Sequence, residues 1–169
     1  LTQENAITDF GKAKAAVAGI YSTFQNDYYA GGTYCILANK AGLFNPSSVD
    51  YKFAYTQISG GNASAWSAFY RSLNAANFAI NGIPELSAAS VPSEADRTAL
   101  IAEARCLRAW INLNILWNFC HWWADDSDIY GLLYRDQMVD MTNVMLPRIT
   151  VGESYSKIYE DLDFAIENM

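Results

Sequence analysis

The side chains in this sequence that could do chemistry are few and poorly placed for catalysis. A single histidine, His121, stands between Cys120 and Trp122. A Ser-His-Asp or Cys-His centre would need it, but residues adjacent on a helix do not face each other. Its expected role is structural. No GxSxG, Walker loop, GxGxxG or HExxH pattern occurs, so the chain reads as a non-enzyme without a cofactor. Of the three cysteines, Cys35, Cys106 and Cys120, the last two share one predicted helix. They stand roughly 21 Å apart along its axis and cannot bridge. Without a CxxC pair zinc is not expected, and the thiols read as buried small hydrophobes. Asp126, Asp128 and Gly131 fall at positions one, three and six of a calcium loop. Tyr130 and Gln137 occupy positions five and twelve, so that pattern fails and a solvated acidic turn is expected.

The aromatic residues are more informative. Flat sugar faces present C–H groups that pack on rings, while their hydroxyls need polar partners. Tyr51, Phe53 and Tyr55, closed by Asn62 and Trp66, offer both kinds of group and form the candidate ligand-binding set. Trp122, Trp123 and Tyr130 are a second cluster. The alternative for both is that the rings plug the core or contact further chain. Arg105 and Arg108 lie in an otherwise apolar helical pattern. They either snorkel outward or pair with an acidic group on a neighbouring helix, such as Asp161.

These residues must be held by a scaffold of about one domain. With 51% hydrophobic and 14% aromatic residues the chain can bury a real core and still carry surplus rings. A net charge of -7 opposes nucleic acid, which is bound by neutralising phosphates. There is no signal peptide and no apolar run of transmembrane length. The chain begins at Leu1 and ends at Met169 within a helical pattern, and reads as a trimmed N-terminal part of a longer protein.

Four helices are expected. The first starts at Asp9 as N-cap and runs to about Asn26, with Ala13, Ala16, Val17, Ile20, Tyr21 and Phe24 on one face. Its alanines and Gly19 suggest the close approach of another helix. Residues 27–63 carry breakers and read as a long loop or a short strand bearing Tyr51, Phe53 and Tyr55. The second helix runs from Ser64 to about Asn81 and is stopped by Gly82 and Pro84. Ser93 opens the third, which runs to about Trp123 and is apolar nearly all round after residue 110. After an acidic, then Met-rich linker, Thr150 and Glu153 form a capping box for the fourth. Its expected apolar face is Tyr155, Ile158, Tyr159, Leu162, Ala165, Ile166 and Met169, with Glu153, Lys157 and Asp161 as a solvent-facing charge ladder. A strict tetratricopeptide period is not visible.

Taken in order, several of these segments resemble the SusD/RagB-like outer-membrane lipoproteins. Trp66-x-x-x-Tyr70 with Asn77 and Ile80 resembles that family's W-x-x-x-Y…N-x-x-I segment. Glu103 to Ala109 is similar to its central-helix signature, and Arg148-x-Thr150-Val151…Tyr155-x-x-Ile158-x-x-Asp161-Leu162-x-x-Ala165 to its next helix. Ala15-x-x-Ala18-Gly19-Ile20-Tyr21 fits its first. Where many members carry F-G-x-x-P, this chain reads Phe119-Cys120-His121-Trp122-Trp123. The resemblance implies a mostly α fold of tetratricopeptide-like helical pairs with a long aromatic-bearing loop, and residues 1–169 as one N-terminal helical domain of a longer protein. It implies a non-catalytic glycan-binding protein, lipid-anchored on the outer face of a Bacteroidetes-type outer membrane. Its partner there would be a SusC-like TonB-dependent transporter. The alternatives are a peptide-capturing RagB-type protein, a purely structural helical interaction module, and last an enzyme of unfamiliar type.

Overall fold

The structure, a computed structural model, describes residues 6–27 and 60–169, with the side chains of 25–27 and 60–64 outside that description. The described part is helical, as expected, with no strand. Helix α1 spans Phe10–Asp27, α2 Gly60–Gly82, α3 Glu94–Phe119 and α4 Val151–Asn168. Successive helices pack as neighbours: α1 on α2, α2 on α3 and α3 on α4, while α3 also touches α1.

Local signals start these helices where the sequence expects. Asp9 caps α1: its Oδ1 accepts from the Lys12 amide at 2.9 Å. Ser93 caps α3, its Oγ accepting from the Asp96 amide at 3.0 Å, and Glu94 and Asp96 place negative charge at the helix's positive end. Thr150 and Glu153 close the capping box of α4, at 3.2 Å and 2.9 Å.

The core runs through Ala13, Val17 and Ile20 of α1, Phe69, Leu73 and Ala76 of α2, Ile111, Ile115 and Leu116 of α3, and Ile158 of α4. On α1 the alanine side makes the close approach, but Gly19 does not: a Cβ there would meet nothing within 4 Å. Helix α2 begins four residues before the expected Ser64. Gly82 does not end it by a left-handed turn, since its φ is -89° and the chain continues into a 3₁₀ turn at Ile83–Glu85. The glycine instead makes room for Ile7, whose Cδ1 a Cβ would approach to 2.9 Å and push aside.

Two expectations are corrected by packing. Helix α3 ends at Phe119 rather than Trp123. The Cys120 amide still reaches Leu116 O at 3.1 Å, but the His121 amide bonds to Tyr130 O at 3.0 Å. That outside acceptor peels the chain from the helix and leaves Trp122 and Trp123 exposed. Trp117, within the stretch expected to be buried on several sides, is also 53% exposed. Helix α4 is rolled relative to the expected face: Val151, Ser154, Ile158, Asp161 and Ala165 are buried, and Tyr159, Ile166 and Met169 face out. The charge ladder therefore does not form. Asp161 lies inside, and Lys157 pairs with Glu160 at 2.9 Å.

Residues 120–150 form neither helix nor strand, yet they are tied down. Asn74, Asn77 and Asn81 recur on one face of α2. The Asn77 amide donates to Arg135 O and Gln137 O, Asn81 donates to Asp136 O, and Asn74 Oδ1 accepts from the Val139 amide. Asparagine is a weak helix former because it bonds backbone groups readily, and here that tendency fastens a connection to the helix.

Candidate functional site

Two clusters gather chemically capable side chains. The first lies between α2, α3 and α4. Arg108 Nε and Nη2 donate to the two oxygens of Asp161 at 2.7 and 2.8 Å, and its Nη1 donates to Asn77 Oδ1 at 3.1 Å. Arg105 Nε adds a bond to Asp161 at 2.7 Å and its Nη2 one to Glu160 O at 3.1 Å, while its guanidinium lies 4.2 Å over the Phe164 ring. Of the two expectations for these arginines, pairing with Asp161 is the one realised. A buried carboxylate held by two guanidiniums is compensated in charge and bonding. An open cleft of about 420 Å³ lies above it, bordered by Asn81, Asp136 and Phe164. The polar groups beneath that cleft are already engaged with one another.

The second cluster is at the C-terminal end of α3, where the 120–131 segment folds against the start of α4. The His121 ring lies 4.8 Å from Tyr130 and 5.6 Å from Trp123, and Trp122 meets Trp123 edge-on at 5.7 Å. Trp123 is 68% exposed, and Trp122 and Tyr130 also present much of their area to solvent. Asp128 organises the turn. Its Oδ1 accepts from the Tyr130 amide at 2.7 Å and its Oδ2 lies 3.3 Å from His121 Nδ1. These contacts, led by the Tyr130 amide and opposed by some desolvation, hold the Asp128 carboxyl below the usual aspartate range. His121 is thus a half-exposed ring bonded to Asp128.

The turn is bolted to α4. The Val151 amide donates to Asp128 O at 2.9 Å and the Gly152 amide to Asp126 O at 3.0 Å, satisfying two donors of the first helical turn. A Cβ at residue 152 would press to 2.7 Å on the Asp126 side chain, so glycine permits this approach. Beside it Tyr155 and Tyr159 stack with centroids 6.2 Å apart and planes at 28°. The Tyr155 hydroxyl donates to Trp122 O at 3.0 Å, joining the tyrosine pair to the tryptophan pair. The result is two aromatic groups tied by one hydrogen bond and bordered by Asp126 and Asp128.

Tyr51, Phe53 and Tyr55 lie outside the described residues, as does the side chain of Asn62, whose backbone belongs to the first turn of α2. Trp66 packs against Tyr70 at 4.5 Å and Phe119 at 5.2 Å, with the Arg148 guanidinium 5.7 Å over its ring. The second aromatic group, Trp122, Trp123 and Tyr130, is brought together and exposed. Sequence reasoning missed Tyr155 and Tyr159, which it placed on the buried face of α4. The available signal was tyrosine at two positions where a buried stripe would use leucine or isoleucine.

Cys106 and Cys120 are free thiols, and burial pushes Cys120 up, partly offset by Arg148, whose Nη1 lies 3.3 Å from its sulfur. Among the described residues no three His, Cys, Asp or Glu side chains converge as a metal site, and no helix is long and apolar enough to cross a membrane.

No protein-family model matches the chain. A SusD-like protein of Bacteroides ovatus is 28% identical over 161 residues, covering 92% of this chain and 27% of the relative. A solved SusD-like carbohydrate binding protein from Bacteroides vulgatus superposes with a TM-score of 0.75 at 19% identity, over 96% of this chain and 36% of that one. A SusD superfamily protein from Bacteroides thetaiotaomicron gives 0.66 at 18% identity, over 96% and 38%. The chain thus spans 27% of the curated relative and little more than a third of each solved chain.

Proposed function

The chain resembles SusD-like proteins in sequence and shares their fold, and from that premise we propose that it captures glycans without catalysis. The observation that carries this reading is the cluster of Trp122, Trp123, Tyr130 and His121, whose rings pack against one another yet face solvent. Large apolar rings left exposed on a packed scaffold mark a contact surface. Pyranose C–H faces would pack on the indoles, and hydroxyls would donate to Asp128. A stacked ring is worth about 0.5–1.5 kcal/mol beyond its buried area. A purely structural module would instead cover these rings. The proposal extends to the setting that the family resemblance implies: a lipid-anchored protein on the outer face of the outer membrane, handing its glycan to a SusC-like TonB-dependent transporter. Tyr51, Phe53 and Tyr55, with Asn62 and Trp66, stand as a second candidate contact group on the sequence argument alone.

The test is native affinity electrophoresis of the full-length protein against neutral and acidic polysaccharides. Retardation by a glycan is expected. Trp123→Ala should abolish most of it, and the triple change of Tyr51, Phe53 and Tyr55 to Ala measures the second group. A folded full-length protein that no glycan retards, but that binds extended peptides, would replace glycan capture with peptide capture.

A further inference from the structure

We propose that the cleft between the 125–131 turn and the first two turns of α4 is a second sugar subsite, which takes an uncharged sugar unit adjoining the one on Trp122 and Trp123. This rests on the glycan reading above and adds a chain-length and charge preference to it.

The cleft is lined by Asp126, Gly152, Tyr155, Ser156 and Tyr159 and has a volume of about 280 Å³. That lies at the small end of the ~300–1,000 Å³ typical of ligand pockets, fitting one ring better than a chain. Tyr159 is 57% exposed and stacks near-parallel on the half-buried Tyr155, which backs it and leaves its outer side to solvent. Tyr155 is fixed by its bond to Trp122 O and therefore keeps a set position relative to the tryptophans. Gly152 lets Asp126 pack close against the start of α4, which sets the edge of the cleft.

The polar lining reads as acceptor-rich. The Asp126 carboxylate is exposed and makes no hydrogen bond among the described residues. The Ser156 hydroxyl gives its proton to Gly152 O at 3.0 Å and keeps its lone pairs for a ligand hydroxyl. No lysine or arginine lines the cleft. Lys157, the next residue, points to Glu160 instead. Acceptors facing rings suit a hydroxyl-bearing neutral sugar. A uronate or sulfate would meet Asp126 with no compensating cation, a juxtaposition of like charges that costs affinity.

The experiment is calorimetric titration of the full-length protein with neutral gluco-, xylo- and manno-oligosaccharides from one to six units, and with oligogalacturonates. It is repeated on Trp123→Ala, Tyr159→Ala and Asp126→Asn, each first checked for an unchanged melting temperature. For one neutral series, affinity should rise about tenfold once the ligand spans both ring pairs, one stacked ring's worth. Tyr159→Ala should remove that rise and spare the shortest ligands, while Trp123→Ala weakens every length. Oligogalacturonates should bind at least about tenfold more weakly than the best neutral series, and Asp126→Asn should narrow the gap. A wild-type length dependence in Tyr159→Ala, with Trp123→Ala still weakened, overturns the second subsite and leaves glycan capture standing. Loss of length dependence with no effect of Trp123→Ala supports the cleft and overturns the tryptophan site. Oligogalacturonate affinity equal to neutral overturns the charge preference, and no binding of any sugar overturns both readings.

Discussion

The middle of helix α3 and the segment just past its C-terminus use polar and aromatic side chains to opposite effect. Midway along the helix, Arg105, Arg108, Asp161 and Asn77 are buried or nearly so and bond chiefly to one another. Just past its C-terminus, Trp122, Trp123, Tyr155 and Tyr159 are ordered by neighbours but leave faces open to solvent. The first arrangement is a fastening, since both oxygens of the Asp161 carboxylate are bonded by guanidiniums from the neighbouring helix. The second is a surface awaiting a ligand. A conspicuous charged cluster is therefore a poorer guide to function in this molecule than a modest exposed tyrosine.

That contrast can be broken by substitutions at its strongest point. Asp161→Ala would leave two guanidiniums without their shared carboxylate and should cost about 3–5 kcal/mol, read by urea unfolding. A loss below about 1 kcal/mol would mean the cluster fastens nothing. Asn77→Ala should cost about 1–3 kcal/mol, because Arg108 and the carbonyls of Arg135 and Gln137 each lose a partner. Thr150→Ala removes one side of the capping box and should cost about 1 kcal/mol. Trp123→Ala sharpens the comparison from the other end. Its stability should stay within about 0.5 kcal/mol of the parent, while glycan affinity falls about tenfold. Equal losses in both would make Trp123 another fastening residue.

The smallest effect concerns pH. Tyr21 donates to Glu103 at 2.8 Å, and partial burial followed by that carboxylate pushes its hydroxyl up to about 12 from an ordinary 10. A raised acid stabilises the fold in its protonated form. The contribution is complete below pH 10 and is lost as pH rises through about 12. Ultraviolet titration should show several late tyrosines, since Tyr70, Tyr134 and Tyr155 are also raised, and the one lost in Tyr21→Phe should move back toward the ordinary range in Glu103→Gln. An unmoved titration would mean that burial alone raises it.

What the sequence determined by itself is whatever closes within a few residues. The caps at Asp9, Ser93 and Thr150 bond amides three positions away, so the starts of α1, α3 and α4 were legible. Pro84 bars continuation of α2, and the heptad-like recurrence of Ala13, Val17 and Ile20 marks a buried stripe. The pairing of Arg105 and Arg108 with Asp161 was legible only as one option of two. The tertiary structure decided everything that depends on a distant partner. Asp161 meets Arg108 across 53 residues, and satisfying that carboxylate sets the roll of α4 and turns Tyr159 outward. Tyr130 O captures the His121 amide, so α3 stops short and the tryptophans emerge. Hydrophobic periodicity ranks residues by apolarity alone. It could not see that a buried ion pair outweighs a tyrosine for a place in the core, which is why Tyr159 joined the already legible cluster of Trp122, Trp123 and Tyr130 only in the folded chain.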